Sequence, residues 1–171
     1  MGPVLCDKAV TFLLEWSTKP IWCWTPLHPD DHPLRTLRIM ADGNCSFVAF
    51  SAVITASQDD HAILRTMTVS YILNNLDTMR CVCPNIVEHV NTSNMATLET
   101  WGTEVEIIAL ATILNATVFV FSQCGQTQKW LPYNPLLSGD DTHSVEVIMI
   151  QNLSLRTSRT INAYNLCMKW E

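Results

Sequence analysis

Apolar positions recur with two different periods along the chain. Between residues 45 and 54, Phe47, Val48, Phe50 and Val53 form a dense apolar run, entered through the turn Ala41-Asp42-Gly43-Asn44, which predicts a largely buried helix. Residues 60–76 carry Ile63, Leu64, Met67, Tyr71 and Leu76 at close to helical spacing, and Asp59 or Asp60 can cap that helix with acidic charge near its N-terminus. A polar loop is expected through residues 91–100. Thr103-Glu104-Val105-Glu106 then has the capping-box pattern ahead of the apolar run 107–114, predicting the start of a third helix. Later the pattern turns to strand: Thr117-Val118-Phe119-Val120-Phe121 is β-branched and aromatic, residues 145–150 are largely so, and residues 164–168 alternate less cleanly. These three strands are expected to share one sheet, since separate strands would leave backbone groups unpaired. Helices early and strands late predict an α+β or mixed α/β layer fold.

Ahead of this pattern the chain is rich in Trp and Pro (Trp16, Pro20, Trp22, Trp24, Pro26, Pro29), which predicts a short helix over residues 10–16 and then an ordered, extended arm. The expected division is an arm over residues 1–38, packed on one domain over residues 39–171. A length of 171 residues, 48% of them hydrophobic, suits a single core. Lys plus Arg total 10 against 16 Asp plus Glu, and a formal charge of -6 offers no broad positive surface, so no nucleic-acid partner is expected. Apolar runs such as 107–111 and 147–150 fall far short of the roughly 20 residues of a spanning helix, so no membrane association is expected. Asp7, Lys8 and Glu15 interrupt the N-terminus where a signal peptide would be apolar, and Cys6 stands where a myristoylation motif wants Ser or Thr.

Seven cysteines, an odd number in a domain large enough to fold without staples, point to a reduced chain in cytoplasm or nucleus. Cys81-Val82-Cys83, with His89 beyond it, lacks the ligand spacing of a zinc site, so no metal and no cofactor are expected. Sequons at Asn44, Asn91, Asn115 and Asn152 carry meaning only in a secreted chain and read as accidental.

The sharpest local chemistry is Asp42-Gly43-Asn44-Cys45, which places a thiol at a helix N-terminus behind a tight turn. Unpaired N–H groups and aligned peptide dipoles there lower a thiol pKa from about 8.5, and the same N–H groups can cradle a developing oxyanion. Gly43 permits the turn without a Cβ clash. From spacing alone, Cys45 reads equally as one more small buried hydrophobe in a core helix.

Together, four segments shift that balance: Asp42-Gly43-Asn44-Cys45-Ser46-Phe47-Val48-Ala49-Phe50-Ser51, Leu64-Arg65, Trp101-Gly102-Thr103-Glu104-Val105-Glu106, and Asn162-Ala163-Tyr164-Asn165-Leu166. In order and spacing the chain resembles the ovarian-tumour (OTU) family of cysteine proteases, mostly deubiquitinases, from about Ile39 to its end. The resemblance implies an OTU-like cysteine-protease fold with a central β-sheet packed between helices. It makes Cys45 the nucleophile, Asp42, Gly43 and Asn44 the oxyanion-loop turn, with Asp42 helping to shape it, and Trp101 and Gly102 neighbours of the substrate groove. For Trp101, ordinary core packing is an equal reading. The family's base is a His followed by an aromatic residue and an Asp or Asn at the start of the last strand. Here Tyr164 is the aromatic, Asn165 the orienter, and Ala163 stands in the base position. A methyl group can neither take a proton from Cys45 nor protonate a leaving amine. Of His28, His32, His61, His89 and His143 as stand-ins, only His143 precedes a late strand.

Three functions follow as expectations. The first is an OTU-like thiol isopeptidase domain acting on ubiquitin or a ubiquitin-like modifier, monomeric and inactive or strongly impaired because of Ala163. The second is a non-catalytic module that binds such a modifier or another protein, a pseudoenzyme, and the third is a purely structural interaction domain. A solvent-reachable Cys45 sulfur facing Ala163, with the Asn165 side chain directed toward the vacated imidazole position, favours the first two. A buried Cys45 favours the third.

Overall fold

The computed structural model describes residues 35–37, 39, 42–55, 57–124, 127–136, 146–155 and 161–168, with backbone alone for 35–37, 122–124, 127–129, 146–155 and 161–168. Helix α1 spans Cys45–Thr55, and nine of its 11 residues are buried. A helix covered on nearly every side has no amphipathic stripe, which is why its signal is an apolar run rather than a period. Helix α2 spans His61–Asn74. Asp60 occupies its N-cap as expected, but makes no side-chain cap bond; its carbonyl instead accepts from the N–H groups of Ile63 and Leu64 at 3.0 and 3.2 Å. The helix stops at Asn75, so Leu76, expected within it, opens a separate single turn, α3, Leu76–Met79.

The expected loop 91–100 is corrected at its start. Helix α4, Ile86–Ser93, runs into it and ends at Asn94, which is left-handed at φ 52°. Only Ile86 and Val90 of α4 are buried, one turn apart, and two apolar anchors leave too faint a period to read from sequence. Helix α5, Glu104–Leu114, begins with the expected capping box and ends at left-handed Asn115.

Five strands form one sheet: β1 (Arg35–Leu37), β2 (Ala116–Cys124), β3 (Thr127–Tyr133), β4 (Glu146–Leu155) and β5 (Ile161–Met168), in the order β1-β5-β4-β2-β3. All pairs are antiparallel except β2 with β4. The three expected strands are therefore in one sheet, with β4 and β5 longer than their apolar runs. Strand β3 escapes the pattern because its sequence is mixed and holds Pro132; as an edge strand it tolerates a residue without an N–H. It is held to β2 by the opposed pair Phe121 and Trp130, ring centroids 5.0 Å apart. At the other edge, β1 lies within residues 1–38; residues 1–34 lie outside the described residues, including the short helix expected over 10–16.

The core joins Phe47, Phe50 and Ile54 of α1 to Leu64 and Ile72 of α2, Leu110 of α5 and Val118 of β2. Helix α1 packs on β5 and β4, α5 packs on β2 and β3, and α2 bridges α1 and α5. This arrangement returns the end of the chain to the helix that starts at Cys45. Among the described residues no helix is long and apolar enough to cross a membrane.

Candidate active site

Cys45 is the first residue of α1. The turn before it is built locally: the Asn44 N–H donates to Asp42 Oδ1 at 2.9 Å, and the Asn44 carbonyl accepts from the Val48 N–H at 2.9 Å, opening the helix. Burial pushes the Asp42 carboxyl up, but hydrogen bonds from Asn44 outweigh it and hold the group below its ordinary value. Gly43 has φ +84°, and a Cβ built there would lie 2.0 Å from the Glu99 carbonyl oxygen. The turn therefore needs glycine twice, for its left-handed backbone and for the approach of a second segment.

That second segment is residues 95–102. The Glu99 N–H donates to Asn44 Oδ1 at 2.8 Å, and a Cβ on Gly102 would lie 2.5 Å from Ser46 Oγ. Residues 99 and 102 thus rest on residues 43 and 46, on either side of Cys45 in sequence. Cys45 is only 1% exposed. The expectation of a solvent-reachable sulfur is not met: the residue opens a helix that packs on β5, β4 and α2 and is enclosed with it. Trp101, in that segment, is 36% exposed, so core packing is not its role.

The two segments meet on Arg65 of α2. Its Nη2 donates to Asn44 Oδ1 at 3.0 Å and to the Thr100 carbonyl at 2.7 Å, and its Nη1 donates to the Met95 carbonyl at 3.0 Å. The guanidinium carbon lies 4.4 Å from the centre of the Phe47 ring. Arg65 is 1% exposed. Sequence reasoning quoted Leu64-Arg65 without a role for it. The available signal was position: Arg65 falls on the same helical stripe as buried Thr68 and Ile72.

Glu106 anchors the other end of the second segment. Its Oε2 accepts from the Thr103 N–H at 2.6 Å and the Thr103 hydroxyl at 2.7 Å, and its Oε1 lies 2.9 Å from His89 Nε2. His89 is thereby engaged in the scaffold. His61 holds its Nδ1 2.9 Å from the Gln58 carbonyl and acts on Asp42 through its charge. His28, His32 and His143 lie outside the described residues. Cys81 is exposed, with its thiol donating to the Thr78 carbonyl, and among the described residues no group of three or more His, Cys, Asp or Glu is placed to hold a metal ion.

Ala163 is the third residue of β5 and pairs with Leu153, while Asn165 pairs with Gln151. Residues 163 and 165 share one face of a strand that packs on α1. The expected approach of the Ala163 and Asn165 side chains to Cys45 falls outside what the description covers.

The OTU-like cysteine protease family model matches residues 40–152. The chain belongs to the OTU-like cysteine protease family. Among solved structures, the OTU domain of OTUD1 aligns with a TM-score of 0.63 at 23% identity, covering 78% of this chain and 85% of that one. The viral OTU domain protease from Qalyub virus aligns at 0.59 and 18% identity, over 77% and 82% of the two chains. That from Dera Ghazi Khan virus aligns at 0.55 and 18% identity, over 79% and 81%. Comparison with curated proteins finds no match. The OTU family match includes the Asp42-Gly43-Asn44-Cys45 turn and the Trp101-Gly102 segment and ends ahead of β5, the strand that carries Ala163.

Proposed function

We propose that this OTU domain is a thiol isopeptidase scaffold directed at ubiquitin or a ubiquitin-like modifier, with Cys45 as nucleophile and with hydrolysis strongly impaired by Ala163. The observation that carries the reading is the placement of Cys45 at the N-terminus of an 11-residue helix, behind a positive-φ glycine turn, in a chain of this family. In the reaction the Cys45 sulfur attacks the carbonyl carbon of the scissile amide, and the carbonyl π electrons move to oxygen. Backbone N–H groups of the turn and of the first helical turn receive that oxyanion. Collapse of the intermediate must then release an amine, which needs a proton. An imidazolium at position 163 would supply it; alanine supplies none. Loss of one member of such a unit typically removes on the order of 10^4 in rate.

Enclosure of Cys45 requires that its surroundings yield when substrate enters. The same enclosure favours the third expectation as a second reading, a structural interaction domain without hydrolysis. Ubiquitin bearing a C-terminal electrophile separates the two, because its capture needs an open groove and a thiolate but no protonated leaving group. Capture by the parent chain, lost in Cys45→Ser, is expected, together with a rise of orders of magnitude in hydrolysis of a ubiquitin C-terminal amide in Ala163→His. Failure of capture by both folded proteins makes the second reading the better one. A reduced compartment, cytoplasm or nucleus, suits a thiol nucleophile.

A further inference from the structure

We propose that Arg65 is the positioning residue of the Cys45 site: its fork holds the Asp42-Gly43-Asn44 turn in register with residues 95–100, and its permanent charge sits against Asn44 and Phe47, the residues one before and two after Cys45. The inference rests on Cys45 being the nucleophile of the reading above. It begins from an imbalance. Arg65 is buried, and burial of a cation is costly unless an anion meets it. Yet its hydrogen-bond partners among the described residues are all neutral: the carbonyls of Met95, Thr100 and, at 3.5 Å, Gly43, the Asn44 side-chain oxygen, and the Met95 sulfur. Its Nε has no partner. The guanidinium is well seated but not neutralised by contact.

The fork explains one half of the role. Two nitrogens bind two segments of chain far apart in sequence, and Asn44 Oδ1 is shared between Arg65 and the Glu99 N–H. A planar, five-donor group can satisfy these acceptors at once, whereas a lysine ammonium reaches them as a point charge. Shift this junction and the N–H groups at the start of α1 shift with it. The other half is charge. Burial pushes the Arg65 guanidinium below its ordinary value, and Glu106, Asp42 and Cys45 push it back. Such coupling is mutual, so the cation that Cys45 supports also supports the Cys45 thiolate. Glu106 of α5 spends its lone pairs on Thr103 and His89, and Asp42 spends one on Asn44. The titratable residues that β5 and β4 add are Tyr164, Cys167 and Glu146. Arg65 is thus a resident cation for the thiolate, seated against Asn44 and Phe47 on either side of Cys45 in sequence.

The test is the titration of Cys45 itself, read as thiolate absorbance near 240 nm and taken as the difference between each protein and its Cys45→Ser counterpart. That subtraction removes the other cysteines and needs neither access to the sulfur nor ubiquitin. Burial of Cys45 raises its midpoint and a neighbouring cation lowers it, so the readout is the shift between parent and variant. Arg65→Met should raise the midpoint by at least about one pH unit, a tenfold loss of thiolate at neutral pH. Arg65→Lys, which keeps charge and loses the fork, should raise it by less than half as much. Asn44→Ala, which keeps Arg65 and removes the shared acceptor, should also raise it. A merely structural brace would lower the unfolding midpoint in all three while leaving the titration unmoved. A folded Arg65→Met protein with the parental midpoint overturns the proposal; if that variant does not fold, an unshifted midpoint in Asn44→Ala does so. An Arg65-dependent titration in a chain that ignores the ubiquitin probe leaves this inference standing and removes the substrate reading.

Discussion

Replacing Gly43 with alanine should cost about 2 kcal/mol of folding stability, a figure that can be assembled from its surroundings. At φ +84° a side chain is strained whatever space surrounds it, which accounts for roughly 1–2 kcal/mol. The added methyl would also fall 2.0, 2.5 and 2.8 Å from the carbonyl oxygen, carbonyl carbon and Cα of Glu99. These are backbone atoms, so no rotamer change relieves the overlap. Residue 99 must retreat, and retreat breaks the 2.8 Å bond from its N–H to Asn44, worth about 1 kcal/mol, and slackens the Arg65 junction. Alanine's smaller unfolded-state entropy returns about 0.4–1 kcal/mol. The assay is urea unfolding, with the slope required to stay constant so that the midpoint shift reports stability. Combining Gly43→Ala with Glu99→Gly tests the mechanism, because a freer residue 99 can yield; the pair should be less destabilised than the sum by about 0.5–1 kcal/mol. A loss below about 1 kcal/mol in Gly43→Ala, or strict additivity in the pair, would refute the account of this turn as a two-segment closure.

Glu99 is itself at φ 66°, so Glu99→Gly alone should be neutral or stabilising by up to about 1 kcal/mol in the same unfolding assay. Glu106→Gln should destabilise by about 1–2 kcal/mol, because the buried carboxylate accepts from Thr103 twice and meets His89, and an amide removes the charge behind those bonds and one of the two acceptor oxygens; calorimetry reads the loss. Asp42 is held below its ordinary value of 3.8. A depressed folded-state value means its contribution is complete above about pH 4 and fades as pH falls through the lower folded value. The stability gap between the parent and Asp42→Asn should therefore be constant from pH 7 to about pH 5 and shrink in more acid solution, as followed by urea midpoints. Trp101 is 36% exposed and keeps most of its surface covered, so Trp101→Ala should cost about 1–2 kcal/mol of stability while slowing capture of the ubiquitin probe.

What the sequence determined by itself was the local chemistry. The Asp42-Gly43-Asn44 turn and the Thr103 to Glu106 capping box each form through contacts within a few residues, so their composition is a direct record of their geometry. The family, too, was legible there, in short motifs that such geometry demands. Tertiary structure decided everything that depends on a partner distant in the chain. Asn44 meets Glu99 across 55 positions and Arg65 meets Thr100 across 35, and nothing in either neighbourhood announces the other. Burial of Cys45 belongs to this class: a thiol at a helix start is exposed or enclosed according to what remote elements lay over it, and here its helix packs on β5, β4 and α2. Strands β1 and β3 likewise exist as edges because a sheet was already there to pair with, which lets a sequence containing Pro132 become a strand that its own propensity would not form.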